Sequence, residues 1–181
     1  DAEVRLTMYT NPSNICKTLV ALLERNSDLI NRVIRTYQSR ARPTVFEGVR
    51  LVQPADVYPC LEIEPAPVSN SWATTRSQRP RYTFNCTLTV KCDREGMAVE
   101  YINTLAMCII EIMTSPENLQ MAVLNETRWD AYTGLYETVI LDRLVEDYTP
   151  NAEKDGTIRK AGWSWFALVH ERFHDGRFRS G

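Results

Sequence analysis

Residues 81–93 read RYTFNCTLTVKCD. Tyr82, Phe84, Cys86, Leu88, Val90 and Cys92 alternate strictly with Thr83, Asn85, Thr87, Thr89 and Lys91. Successive side chains of a strand point to opposite faces, so this period of two places one face in a core and the other in solvent. A parallel sheet covered on both sides reads instead as a continuous apolar run, so the pattern calls for an antiparallel sheet with one open side. A chain holding such a strand must lay something apolar over its inner face.

Two helical stripes answer that need. The first opens at Asn11-Pro12, where Asn is a good N-cap and Pro is tolerated at the first helical position. Ile15, Leu19, Leu22, Asn26, Leu29, Val33 and Tyr37 follow at spacings of three and four, widened by Val20, Leu23 and Ile30. The spacing predicts a helix over 12–39, roughly 40 Å long at 1.5 Å per residue. Asn26-Ser27-Asp28 is a weak-helix patch at which it can break or kink. The second helix, over 94–115, is entered through Asp93 as cap with Glu95 in its first turn, and is stopped by Ser115-Pro116. Ile102, Leu105, Ala106, Ile109, Ile112 and Met113 form its apolar face.

The remaining segments supply strands. VYPCLEIEP, residues 57–65, gives a short edge strand with Leu61 and Ile63 on one face and Cys60, Glu62 and Glu64 on the other. Residues 40–56 are irregular, 66–81 form a long polar loop with no sustained period, and 117–133 hold at most a short strand near Met121–Asn125 and a loop carrying Trp129. Residues 134–148 and 157–173 are rich in β-branched and aromatic residues and pair as a hairpin across the polar connector TPNAEKDG, whose Asp155-Gly156 is a turn signal. In the second of these strands Trp163, Trp165, Ala167 and Val169 alternate with Ser164, Phe166, Leu168 and His170. The expected fold is α+β: a mostly antiparallel sheet of four to five strands with two helices on one face. One domain spans residues 1–181, with flexible or extended tails at 1–10 and 174–181.

The balance of 21 basic and 23 acidic residues does not point to a protein that lives by coating nucleic acid or anionic lipid. Five cysteines, at 16, 60, 86, 92 and 108, are odd in number and form no C-x-x-C, so reduced thiols are expected rather than a disulfide framework. No run of about 18 apolar residues spans a bilayer, and the first residues lack the layout of a secretory signal.

Near the C-terminus His170-Glu171-Arg172-Phe173-His174 is a literal H-E-x-x-H. Zinc proteases carry this motif on a helix, where i and i+4 share a face. Here it continues a strand, and four strand steps separate the histidines by about 13 Å, too far to share one Zn²⁺. A third ligand is missing too, because Gly176 comes one position early and Ser180 stands where the extended motif has His. Zinc-dependent hydrolysis by His170, Glu171 and His174 is therefore a remote alternative. There is no G-x-S-x-G, P-loop or G-x-G-x-x-G, and the acidic Asp142, Glu146 and Asp147 read as a solvated strand edge. No catalytic residue, cofactor or metal is expected.

The arrangement PADVYPCLEIEP, long polar segment, RYTFNCTLTVKCD, amphipathic helix entered through Asp93-Arg94-Glu95, then YETVILDRLVEDY and GTIRKAGWSWFALVHERF, is similar to bacteriophage tail-terminator and tail-completion proteins. The resemblance covers most of residues 11–173. It implies a virion structural protein at the tail–neck junction, assembled in the host cytoplasm as a hexameric ring. Such a ring stops tube polymerisation and docks the tail tube, with any sheath, to the neck or connector, while genomic DNA passes through its hole. Another neck or head–tail joining protein is the alternative it leaves open. Within this reading Trp72, Arg76, Arg79 and Arg81 carry the Trp and Arg enrichment of interface hot spots. Trp163 and Trp165 join them, since their strand has apolar residues on both faces.

Overall fold

The structure, a computed structural model, describes residues 12–38, 49–50, 58–69, 72–74, 77–92, 94–115, 136–155 and 157–173. In chain order these form helices α1 (Pro12–Arg25) and α2 (Ser27–Tyr37), then strands β1 (Val49–Arg50), β2 (Cys60–Pro65), β3 (Trp72–Thr74), β4 (Ser77–Gln78) and β5 (Arg81–Lys91). A 3-10 turn at Glu95–Met97 leads into α3 (Ala98–Thr114), and β6 (Tyr136–Asp155) and β7 (Ile158–Phe173) close the chain. The fold is α+β, as the sequence predicts, with more strands than expected.

The β5 alternation is the axis of the sheet. Its inward residues Tyr82, Phe84, Cys86, Leu88 and Val90 are all buried, while Asn85 and Lys91 on the other side are exposed. On one side β5 pairs antiparallel with β2, from Cys60↔Thr89 to Pro65↔Phe84; on the other it pairs with β7, from Arg81↔Leu168 to Lys91↔Ile158. β6 takes the far edge of β7, and β1 adds a parallel pair to β2 through Val49↔Leu61 and Arg50↔Glu62. That parallel strand falls in the stretch read as irregular, and it moves β2 off the edge. Cys60, expected on the outward side, is buried as well.

The predicted 12–39 helix is two helices. Asn26 interrupts it, with its backbone N–H 3.2 Å from the Leu22 carbonyl and its side-chain Nδ2 donating to the same oxygen at 2.9 Å. An Asn side chain that bonds the local backbone offers the chain an alternative to the helical ladder. The break also shifts the buried stripe by one residue: Ile15, Leu19 and Leu22 are buried before it, Ile30 and Ile34 after it, and Leu29 is exposed. The α3 face is as predicted, with Tyr101 and Ala98 added to the buried set. α1 packs on β2 and α3, and α3 packs across β5, β6 and β7, so the helices cover one side of the sheet.

The described residues of the 66–81 stretch are not a free loop. Ala66 N–H donates to the Thr83 carbonyl at 2.8 Å, Ser69 and Arg81 exchange both backbone bonds, and β3 pairs with β4. These described residues extend the β2–β5 hairpin, and β4 pairs in turn with β7 through Ser77↔Arg172 and Gln78↔Glu171. Backbone ladders need no apolar period, so a polar run beyond the core can pair without showing it in sequence.

The second hairpin is tighter than expected, closing at Asp155↔Ile158. Most of TPNAEKDG belongs to β6, whose surplus residues are absorbed in irregularities between Thr149 and Glu153, where Pro150 is tolerated because the strand is an edge. A further bulge lies between Glu146 and Thr149, with Asp147 at φ 56°. It turns Tyr148 toward the helices, where its hydroxyl donates to Asn103 Oδ1 at 2.7 Å and its ring meets Trp163. Asp tolerates this left-handed conformation better than a β-branched residue. Asp147→Val is expected to lower stability by about 1–2 kcal/mol, and Asp147→Gly to leave it unchanged or raise it. Urea denaturation of both variants measures the difference.

The expected caps Asn11 and Asp93, the strand near Met121–Asn125, Trp129 and both tails lie outside the described residues.

Candidate functional site

His170 to Phe173 continue β7. They pair with β6 through Val139↔His170, Thr138↔Glu171, Glu137↔Arg172 and Tyr136↔Phe173. The backbone at the zinc-like motif is therefore extended, and His174 lies outside the described residues. Among the described residues no group of three His, Cys, Asp or Glu could hold a metal ion.

The cysteines are free thiols, four of them buried and Cys108 half-buried. Burial pushes the Cys16 thiol up to about 11, and it raises Cys86 too, with Cys16 adding to the effect. At pH 7 a thiol titrating near 11 is ionised to about one part in ten thousand, which disables it as a nucleophile. In the native protein, Ellman's reagent is accordingly expected to leave Cys16 and Cys86 unmodified. In denaturant all five should react.

Trp163 and Trp165 belong to the core and not to a contact surface. Both are buried on the helix side of β7. Trp165 tilts against Phe84, and its indole N–H donates at 3.1 Å to the Met113 carbonyl, one of the C-terminal carbonyls that α3 cannot satisfy internally. Assigning these two residues to an interface followed from apolar residues on both faces of the strand. The residues on the other face are the ones available for contact.

That other face is where the structure brings a predicted residue together with unpredicted ones. Arg81 stands directly opposite Leu168, and Phe166 directly opposite both Thr83 on β5 and Leu144 on β6. The Arg81 guanidinium lies 3.7 Å above the Phe166 ring and donates to Glu146 Oε2 at 2.9 Å, so it bridges from β5 across β7 to β6. Its ion pair is 40% and 44% exposed, and such a surface pair is worth about 0–1 kcal/mol. Leu144, beside Phe166, is 48% exposed, while Phe166 and Leu168 are half-buried. Further along the same face the residues turn polar, with Ser164 donating to Asn85.

An open sheet face is ordinarily polar, so contiguous Leu144, Phe166 and Leu168 with a two-charge border are suited to another protein surface. Of the other candidate contact residues, Arg79 is exposed, Trp72 contributes its backbone to β3 opposite Gln78, and Arg76 lies outside the described residues. Leu144 was not singled out in the sequence, and Glu146 was read there only as part of a solvated strand edge. The out-of-phase Phe166 and Leu168 were a legible signal, but which β6 residues stand beside them depends on register.

Among the described residues no helix is long and apolar enough to cross a membrane. No known protein-family model matches the chain, and no curated protein matches it.

Proposed function

We propose that the chain is a virion structural protein, a ring-forming tail terminator that caps the tail tube and docks it to the neck, with genomic DNA passing through the ring. The reading rests on the likeness of layout and residue character to tail-terminator and tail-completion proteins. The observation that carries it here is the outer sheet face, where Leu144, Phe166 and Leu168 remain partly uncovered while the described helices all pack on the other side. An apolar row on an otherwise solvated sheet face is suited to burial against another subunit. Near-neutral charge suits a channel through which DNA must slide without being gripped.

Negative-stain electron microscopy of the purified protein, alone and mixed with isolated tail tubes, tests this. Rings with a central hole, seated on tube ends, are the expected result. Particles without a hole that leave tube ends bare would sink it.

A further inference from the structure

We propose that β6 is an edge strand whose irregularities guard it against strand addition, so that copies of this chain do not join by extending the sheet. The inference is independent of the ring reading and holds for a single chain as for an assembly. Among the described strands β6 has β7 as its one neighbour, so along its other side no described strand takes up its backbone N–H and C=O groups. At 20 residues it is the longest strand described. A long, regular edge of this kind is a template for pairing with another chain.

What β6 lacks is regularity. It sets 20 residues against the 16 of β7, and the surplus interrupts the ladder in three places: Ile140/Asp142, Glu146/Thr149 and Thr149/Glu153. β5, inside the sheet, holds eleven consecutive pairs with the same β7 and no interruption. The longest undisturbed runs of β6 are 136–140 and 142–146, five residues each. Chains that stack strand on strand do so through segments of about six or seven residues, so each run falls just short. The interruptions also re-aim the outward backbone groups. Asp147 stands at φ 56°, and the exposed Pro150 has no N–H to offer an incoming strand.

The surplus can be removed without changing which side chains face the helices. Deleting Asp147 sets Tyr148 opposite Trp163, on the side it already occupies, and makes seven consecutive residues regular from Asp142 to Thr149. Deleting Pro150 and Asn151 as well places Glu153 two steps from Thr149, as Lys160 is from Gly162, and the regular run grows to eleven.

The test compares the parent with the triple deletion of Asp147, Pro150 and Asn151 by thermal melting and light scattering. Both are held well below the melting range in about 0.5 M salt, which screens the strand's charges. Hydrogen exchange read by mass spectrometry then locates any new contact. The triple deletion is expected to melt cooperatively and to grow into particles larger than the parent's, with slower exchange in β6 and unchanged exchange in α3 and β5. A deletion variant that folds and keeps the parent's size overturns the guard. So does growth accompanied by faster exchange in α3 and β5, which would report unfolding instead of edge pairing. If the triple deletion does not fold, the Asp147 deletion takes its place with the same expected result. If neither folds, the surplus residues serve the fold and not the edge, and the inference falls.

Discussion

Trp165→Ala is expected to destabilise the protein by about 3–5 kcal/mol, the range for removing a fully buried aromatic side chain. The ring is buried between Phe84 and the end of α3, so truncation leaves a cavity against elements that cannot collapse together. It also removes the donor to the Met113 carbonyl, adding an unsatisfied group to the lost packing. Phe166→Ala, one residue along the same strand, should cost no more than about 1 kcal/mol, because that ring is half-buried and chiefly loses its contact with Arg81. Urea denaturation followed by circular dichroism compares the two. A larger loss at Phe166 than at Trp165 would place the helices on the wrong side of β7.

Leu88→Ala is the matching experiment on the central strand, with an expected loss of about 2–5 kcal/mol. Leu88 stands in the buried row with Leu61 of β2 and Ala161 of β7. Thr87, its neighbour, is partly exposed on the outer face between Glu62 and Gly162. Thr87→Ala should stay within about 0.5 kcal/mol. Equal small effects at the two positions would mean that the register of β5 is wrong.

The alternation in β5 and the apolar face of α3 were legible because each is a pure period over a whole element: two for the strand, 3.6 for the helix. The same logic located the break at Asn26 but not its consequence. A stripe counted straight through the break puts Leu29 in the core, whereas the interruption moves that role to Ile30. Where pairing leaves the core behind, sequence pattern fades. β3, β4 and the bridge between Ser69 and Arg81 are held by backbone groups common to every residue, so a polar segment gave no hint of its ladder. The β6 bulges belong to the same class, since they depend on how twenty residues are fitted against sixteen.

The candidate site was half legible. Arg81 stood out by residue type, and Phe166 and Leu168 by being out of phase with the tryptophans. Reading apolar character on both faces as one interface put Trp163 and Trp165 in the contact surface, although α3 already covers them. Leu144 and Glu146 became neighbours of this group only through the β6–β7 register, which is set by bulges that the sequence does not announce.

The most direct test of the ring is the native mass of the purified chain, measured by native mass spectrometry over a dilution series. The account predicts one closed species at six times the 20.8 kDa chain mass, with no ladder of larger assemblies. A species that stays at 20.8 kDa at every concentration would contradict it.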